Sequence, residues 1–265
     1  MATTTTITSR DNPRLKNLRL LATNAREIYQ QGLTLIDGPH LISAYLAAVG
    51  SPRTLLVSQS GLGNAEIRTL IEQCATETLA VADALFRQLS GTVVPVGLLA
   101  VIDIPSCAPA PVQASCVLLD AVQDPGNVGA IFRTALAAGI RDMILSPGCA
   151  GAWTPRVLRA AQGAHFGLRI SEQQDLASLL TSYEGMSIVT VARGGQALYQ
   201  LDLRANIAWL FGNEGQGVSR ALSVLAARAV TIPLHAPSES LNVAAAAAIC
   251  LFEEVRQKSF QGEEK

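Results

Sequence analysis

The chain has 265 residues, which exceeds the usual size of a single domain and makes two the natural expectation. Hydrophobic residues make up 49% of it and charged residues 15%, yet no uncharged apolar run reaches the length of a membrane span; the longest candidate is the short stretch Val243 to Phe252. A formal net charge of −1 gives no global electrostatic case for a nucleic-acid partner.

Local charge is more informative at the N-terminus. The opening stretch MATTTTITSRDNPR lacks the apolar core of a secretory signal. Residues 1 to 53 carry six bases against three acids, and Arg10, Arg14, Lys16 and Arg26 among them are candidates for contacts to RNA phosphates. A solvated helix face accounts for the same residues equally well. NPRLKNLRLLATNAREIYQQG predicts a helix, LTLIDG a short strand, PHLISAYLAAVG a helix and RTLLVSQ a strand, so a small α/β domain is expected over residues 1–103. DIPSCAPAPVQA follows, with Pro105, Pro109 and Pro111 among small residues and no apolar period. This reads as a stiff linker over residues 104–114.

From residue 115 to 265 the pattern changes. CVLLDAV, DMILS, SIVTVA, IAWLFG and AVTIPL are short runs rich in Val, Ile and Leu, separated by helical stretches. Continuous apolar strands alternating with helices predict a parallel sheet covered on both faces, the α/β class. Ligands of such sheets sit at the C-terminal ends of the strands, and three of those exits carry unusual loops. After CVLLDAV comes DPGNVGAIFRTA, where Pro125-Gly126 signals a turn and Asn127 is placed to cap the following helix from the loop. Arg133 would then project from the helix, sharing a face with Gly129 and lying about 240° around the axis from Asn127. Alone, the segment is equally a capped helix with one exposed arginine. After IAWLFG comes GNEGQGVS, whose Gly212, Gly215 and Gly217 allow close backbone approach beside Asn213 and Glu214. It fits neither a P-loop nor GxGxxG, which disfavours a phosphate cradle. After AVTIPL comes HAPSESLNVAAAAA, where Ser238 or Ser240 can start a helix with Asn242 in its first turn; a plain helix start looks the same.

Other chemistries find little support. His40, His165 and His235 show neither triad order nor metal spacing, and no HExxH or GxSxG occurs. Five cysteines (Cys74, Cys107, Cys116, Cys149 and Cys250) stand far apart without a CxxC pair, so neither a disulfide framework nor a metal site is indicated and a reducing cytoplasmic setting is expected.

Together, Asn127-x-Gly129-x-x-x-Arg133, then Gly212-Asn-Glu214-Gly215-x-Gly217, then Ile232-Pro233 followed by Ser240-Leu241-Asn242-Val243 resemble the three motifs of the SpoU, or TrmH, branch of the SPOUT RNA methyltransferases. MILSPGCA and TPRVLRAAQGAHF strengthen the likeness, which covers residues 115–256 well. REIYQQGLTLIDGPHLISAYL is similar to the small L30e-like substrate-binding domain of many members. Gly151 and Ala161 depart from the acidic residue and the Ser frequent at those places.

The resemblance implies a parallel-sheet domain with a deep trefoil knot, a homodimer, and methyl transfer from S-adenosylmethionine to a ribose 2′-hydroxyl of RNA. Ribosomal RNA is favoured over tRNA, and neither membrane nor metal is involved. It implies Asn127, Arg133, Glu214, Ser240 and Asn242 as the catalytic group. Val191, Leu210, Gly212, Asn213, Gly215, Ile232, Leu234, Leu241 and Asn242 are implied around the cofactor. The arginine would serve either as base or as a grip on phosphate, and a guanidinium pKa above about 12 weighs against the first role. A non-catalytic RNA-binding protein that keeps the fold is the alternative, which has no chemical need for Asn127, Arg133, Glu214 and Asn242 together.

Overall fold

The computed structural model describes residues 6–105 and 112–259, so positions 106–111 of the expected linker, with Cys107, Pro109 and Pro111, lie outside the described residues. The chain separates into two compact units. The first holds the described residues up to 105 together with Trp153–Phe166, and the second holds the remainder.

In the first unit β1 (Thr6–Ile7) leads into α1 (Pro13–Thr23) and α2 (Ala25–Gln31). The single helix expected over this stretch is broken at Asn24. Its amide donates to the Leu20 carbonyl at 2.8 Å, while its side chain accepts from the amides of Arg26 at 3.0 Å and Glu27 at 3.4 Å, so one residue ends α1 and starts α2. An Asn side chain that competes for backbone amides favours such a cap over a helix interior. There follow β2 (Leu33–Asp37), α3 (Pro39–Ala48), β3 (Thr54–Ser58), α4 (Ala65–Cys74), β4 (Glu77–Val81), α5 (Asp83–Phe86) and β5 (Leu98–Asp103). The strands form a mixed sheet in the order β1-β4-β3-β5-β2, with β5 antiparallel to both of its neighbours.

The second unit is built on β6 (Cys116–Asp120), followed by α6 (Pro125–Ala137) and β7 (Asp142–Leu145). The next helix, α7 (Pro155–Ala161), lies in the excursion that joins the first unit, so the stretch expected as one continuous domain from 115 onward is interrupted. The local reason is visible at Trp153, whose carbonyl accepts from the Thr34 hydroxyl of β2 at 2.6 Å, and at Phe166, whose ring meets Tyr45 of α3 edge-on at 5.3 Å. After it come β8 (Arg169–Ser171), α8 (Leu176–Ser182), β9 (Met186–Thr190), β10 (Gln196–Ala197), β11 (Ile207–Gly212), α9 (Arg220–Leu225), β12 (Arg228–Thr231) and α10 (Val243–Ser259).

All pairings in this sheet are parallel, in the order β10-β12-β9-β11-β6-β7-β8. The five apolar runs form five of its strands, and the residues of β6, β7 and β11 are buried almost throughout because helices cover both faces, whereas β12 is buried only at Val230. The sequence pattern did not single out β8 and β10, at three and two residues too short to show a period. From β6 the chain winds outward through β7 and β8, then returns to build β11, β9, β12 and β10 on the other side. The direction reverses between β6 and β11, where the register pairs Asp120 with Gly212. A crevice at such a switch point is where an open parallel sheet binds ligands.

The opposite ends of β6 and β11 are clamped by a buried charged group. Glu254 of α10, only 3% exposed, accepts from the Trp209 indole at 2.5 Å, the Ser115 hydroxyl at 2.5 Å and the Lys258 ammonium at 2.6 Å. Each donor satisfies an oxygen that would otherwise be costly to bury. The described cysteines, Cys74, Cys116, Cys149 and Cys250, are free thiols, and burial pushes that of Cys250 up to about 12. Among the described residues no group of His, Cys, Asp and Glu could hold a metal, and no helix is long and apolar enough to cross a membrane.

Candidate functional site

The exits of β9, β11 and β12 and the start of α10 enclose a cavity of about 460 Å³ beside the switch point. At its mouth the first motif behaves differently from expectation. Asp124, not Asn127, caps α6, its side chain accepting from the Asn127 amide at 2.9 Å, and Pro125 occupies the first helical position. Asp followed by Pro is the stronger start signal, because Pro is preorganised for the first turn and needs no donor there. Asn127 therefore acts from within the first turn of α6 and not from the loop, which leaves its side chain free to reach across the sheet.

That side chain joins the three motifs. Its Nδ2 donates to Glu214 Oε1 at 2.9 Å, and its Oδ1 accepts from Asn242 Nδ2 at 2.9 Å. Glu214 also accepts from the backbone amides of Asp124 at 3.2 Å and Gln123 at 3.3 Å, tying the loop after β11 to the loop after β6. Burial pulls the Glu214 carboxyl upward, but the bonds from Asn127 and from backbone amides outweigh it and hold the group below its ordinary range, hence ionised. Asn242 also departs from expectation. It caps α10, accepting from the amides of Ala244 at 2.9 Å and Ala245 at 3.2 Å, while Ser238 and Ser240 lie in the turn before it. Asn is a stronger cap than Ser when its amide can also donate to a neighbour, as here.

The Gly-rich loop is folded on itself. Asn213 and Gly217 exchange backbone bonds at 3.1 and 2.8 Å, and the Asn213 side chain accepts from the amides of Gly215 and Gln216 while donating to the Ala121 carbonyl at 2.9 Å. A Cβ on Gly212 would collide with the backbone of Gly217 and Val218, and Gly217 has a φ of +69°, so both positions demand glycine. Asp120, at the end of β6, accepts from the Ser219 amide at 2.8 Å and the Ser146 hydroxyl at 3.2 Å, pinning the far end of that loop.

Of the expected cofactor residues, Val191, Gly212, Asn213, Gly215, Ile232, Leu234, Leu241 and Asn242 line the cavity, as do Glu214 and Ser240 of the expected catalytic group. Leu210 does not: it is fully buried in the core below, its carbonyl accepting from the Thr190 hydroxyl at 3.0 Å. Arg133 is exposed on α6, outside the Glu214–Asn127–Asn242 chain, with no partner for its guanidinium among the described residues. Of the N-terminal bases, Arg14 pairs with Glu77 at 2.6 Å and Lys16 with Asp11 at 3.1 Å, while the side chains of Arg10 and Arg26 have no partner among the described residues. Sequence reasoning missed Thr190, Ala192, Gln216, Val218, Val230 and Ala246 on the cavity wall and the capping role of Asp124. Thr190 had a usable signal as the polar end of the SIVT run.

The cavity's chemistry is selective. Glu214 carries the only charge on its wall among the described residues, and no Lys or Arg is there to meet a phosphate. Apolar walls, exposed backbone and one carboxylate suit a ligand with an aromatic ring, hydroxyl groups and a positive charge.

Comparison with known proteins agrees with this geometry. The SpoU rRNA Methylase family model matches residues 114–252, just over half of the chain, and an MRM3-like substrate binding domain model matches residues 12–100. The chain is 33% identical over 249 residues to the 23S rRNA (guanosine(2553)-2′-O)-methyltransferase RlmP of Bacillus subtilis, covering 93% of this chain and 97% of that protein. It is 32% identical over 259 residues to an uncharacterized tRNA/rRNA methyltransferase of Synechocystis, covering 95% and 94%. Among solved structures, the SpoU methyltransferase AviRb of Streptomyces viridochromogenes, in complex with AdoMet, superposes with a TM-score of 0.86 at 27% identity, covering 94% of this chain and 98% of that one. With three motifs joined by one hydrogen-bonded chain at the switch point and a family model matching just over half of the chain, the protein belongs to the SpoU rRNA methylase family.

Proposed function

We propose that the protein transfers the methyl group of S-adenosylmethionine to a ribose 2′-hydroxyl of RNA, ribosomal RNA in preference to tRNA. The observation that carries this reading is the Glu214–Asn127–Asn242 chain at the mouth of a cavity whose walls hold no basic group. The near full-length relative that modifies 23S rRNA and the AdoMet complex of AviRb support it.

The cavity residues fit that cofactor. Val191, Ile232, Leu234 and Leu241 offer apolar walls for a purine, the backbone around Gly212 and Gly215 allows close approach to its hydroxyls, and the Glu214 carboxylate matches a positive charge. When bound, the cofactor supplies an activated methyl group on a sulfonium with a neutral thioether as leaving group.

The chain's own residues do the rest. Ionised Glu214 holds the Asn127 amide in one orientation, and Asn127 in turn holds Asn242, so the mouth is rigid before RNA arrives and needs no reorganisation during transfer. The exposed Ser240 hydroxyl is free to orient the incoming ribose. Arg133, a permanent cation with no partner among the described residues, grips an RNA phosphate, and the 2′-hydroxyl proton leaves to water. Residues 1–103 act as the RNA substrate-binding domain, with Arg10 and Arg26 as its free cations, 104–114 as the linker and 115–265 as the catalytic domain. A deep trefoil knot between the loops after β11 and β12, a homodimer, and a cytoplasmic setting complete the proposal; Phe252, 47% exposed on α10, gives the dimer an apolar contact.

The test is incubation with labelled S-adenosylmethionine and RNA that lacks its own modifications. Label is expected in RNA, in dinucleotides that resist alkaline hydrolysis because the methylated 2′-oxygen can no longer attack its phosphate. Cofactor binding without any label in RNA would instead favour a non-catalytic RNA-binding protein.

A further inference from the structure

The first unit contains a second, smaller cleft of about 210 Å³, built from α1, β2, the turn after α5 and α7. That volume lies below the range of about 300–1,000 Å³ typical of sites for whole small-molecule ligands, and suits a single planar ring system. Ala22, Leu35, Leu89 and Pro155 provide apolar walls. At one end stands Asp37, whose side chain is 10% exposed. Its Oδ2 accepts from the Ser90 hydroxyl at 2.6 Å and lies 3.7 Å from the Arg159 guanidinium, while Oδ1 accepts no hydrogen bond among the described residues. Arg159 is fixed by a bond from Nη1 to the Gly91 carbonyl at 3.1 Å, and a Cβ on Gly91 would collide with that guanidinium. Arg156, exposed and without a partner among the described residues, completes the rim.

The combination narrows the ligand. Phosphate is disfavoured by the carboxylate, a cation by the two arginines, and a purely apolar group would leave Asp37 Oδ1 unpaired. A flat ring that presents adjacent N–H donors to a carboxylate and a π-face to a guanidinium suits both charged groups of the cleft. Among the four RNA bases only guanine has two adjacent donors, N1–H and N2–H₂, on its pairing edge. Unpaired bases in RNA are commonly read in this manner, stacked on Arg planes and bonded along that edge.

We propose that this cleft binds an unpaired guanine of the substrate RNA, with Asp37 accepting from its pairing edge and Arg159 and Arg156 at the rim. None of the cleft residues belongs to the methyl-transfer chain, so the base is recognised and not modified. The assignment rests on the RNA-substrate reading above.

It is tested with the full chain and fluorescent single-stranded uridine heptamers that carry one central guanosine, inosine or xanthosine, read by anisotropy. Guanosine is expected to bind about tenfold more tightly than inosine, which lacks the N2 amine. D37N, which exchanges one acceptor for a donor, is expected to lose that preference and favour xanthosine. A22F, which fills the cleft wall without touching the carboxylate, is expected to lower affinity for the guanosine heptamer to that of the inosine one. Equal binding of guanosine and inosine by the wild type, or an unchanged guanosine preference in both variants, overturns the proposal. If that occurs while RNA still accepts label from S-adenosylmethionine, only the cleft assignment fails; if RNA is neither bound nor labelled, the RNA reading fails with it.

Discussion

Two carboxylates in this protein are perturbed in opposite directions, and each perturbation has a testable sign. At Glu214 burial raises the pKa, but hydrogen bonds from Asn127 and backbone amides win, and the folded value falls below the unfolded one. The bonds it accepts are therefore in place above the unfolded pKa and are lost only as pH falls through the still lower folded value. Transfer rates should accordingly show no inflection from Glu214 across the neutral range. Glu214→Gln, which keeps the shape but replaces one acceptor oxygen with a donor, is expected to lower kcat by about a hundredfold, as loss of a preorganised polar group typically does, and single-turnover kinetics would check it. At Asp37 burial dominates over the Ser90 and Arg159 contributions, so the folded pKa is raised. A charged Asp37 then costs folding free energy above that pKa, and the cost disappears as pH falls. D37N is expected to match or exceed the wild-type melting temperature at pH 7 and to lose any advantage near pH 4, measured by calorimetry. Arg133→Ala should abolish transfer while leaving S-adenosylmethionine affinity within a few-fold, since the side chain lies off the cavity wall. Wild-type turnover in that variant would remove Arg133 from the reaction.

Helix starts govern the site at the next scale. Asp124 and Asn242 each end a loop and begin a helix, and the residues they orient are the ones that meet. Asn242→Ala removes both the α10 cap and the bond to Asn127. Loss of a cap alone costs about 0.5–2 kcal/mol, so a small drop in melting temperature should accompany a much larger loss of transfer. Gly212→Ala tests the loop itself, because its new methyl group must displace the backbone of Gly217 and Val218. Calorimetric titration should show cofactor binding lost by more than tenfold while circular dichroism stays close to wild type. The helix starts also mark the limit of pattern reading. Sequence placed the breaks near Asn127 and Ser240 because Ser and Asn are frequent caps, whereas the chain uses Asp124, whose following proline fits the first turn, and Asn242, whose amide also reaches Asn127.

For the whole molecule, the deciding feature is the reversal of strand order between β6 and β11. It brings together exits that are about ninety residues apart in sequence, as the 2.9 Å bond between Asn127 and Glu214 records across a separation of 87 residues. At the other end of those strands the Glu254 cluster holds the sheet to α10. Lys258→Met leaves that carboxylate with neutral donors alone and should lower the melting temperature by several degrees, an effect of about 1–3 kcal/mol after allowing for the partial exposure of the ammonium.

The sequence by itself determined the α/β class, the five principal strands of the parallel sheet and the glycine loop. These follow from local causes: continuous apolar runs, turn chemistry and the need for backbone without side chains. Tertiary structure alone decided that Asn127 works from a helix, that Leu210 lies beneath the cavity and not on it, and that Trp153–Phe166 leaves the second unit to pack with the first. It also put Arg159 against Asp37, two residues that no local pattern relates. The reason is physical. Periodicity reports which face of an element is buried, but not which distant element buries it, and hydrogen-bond partners remote in sequence are chosen only when the sheet order brings their strands side by side.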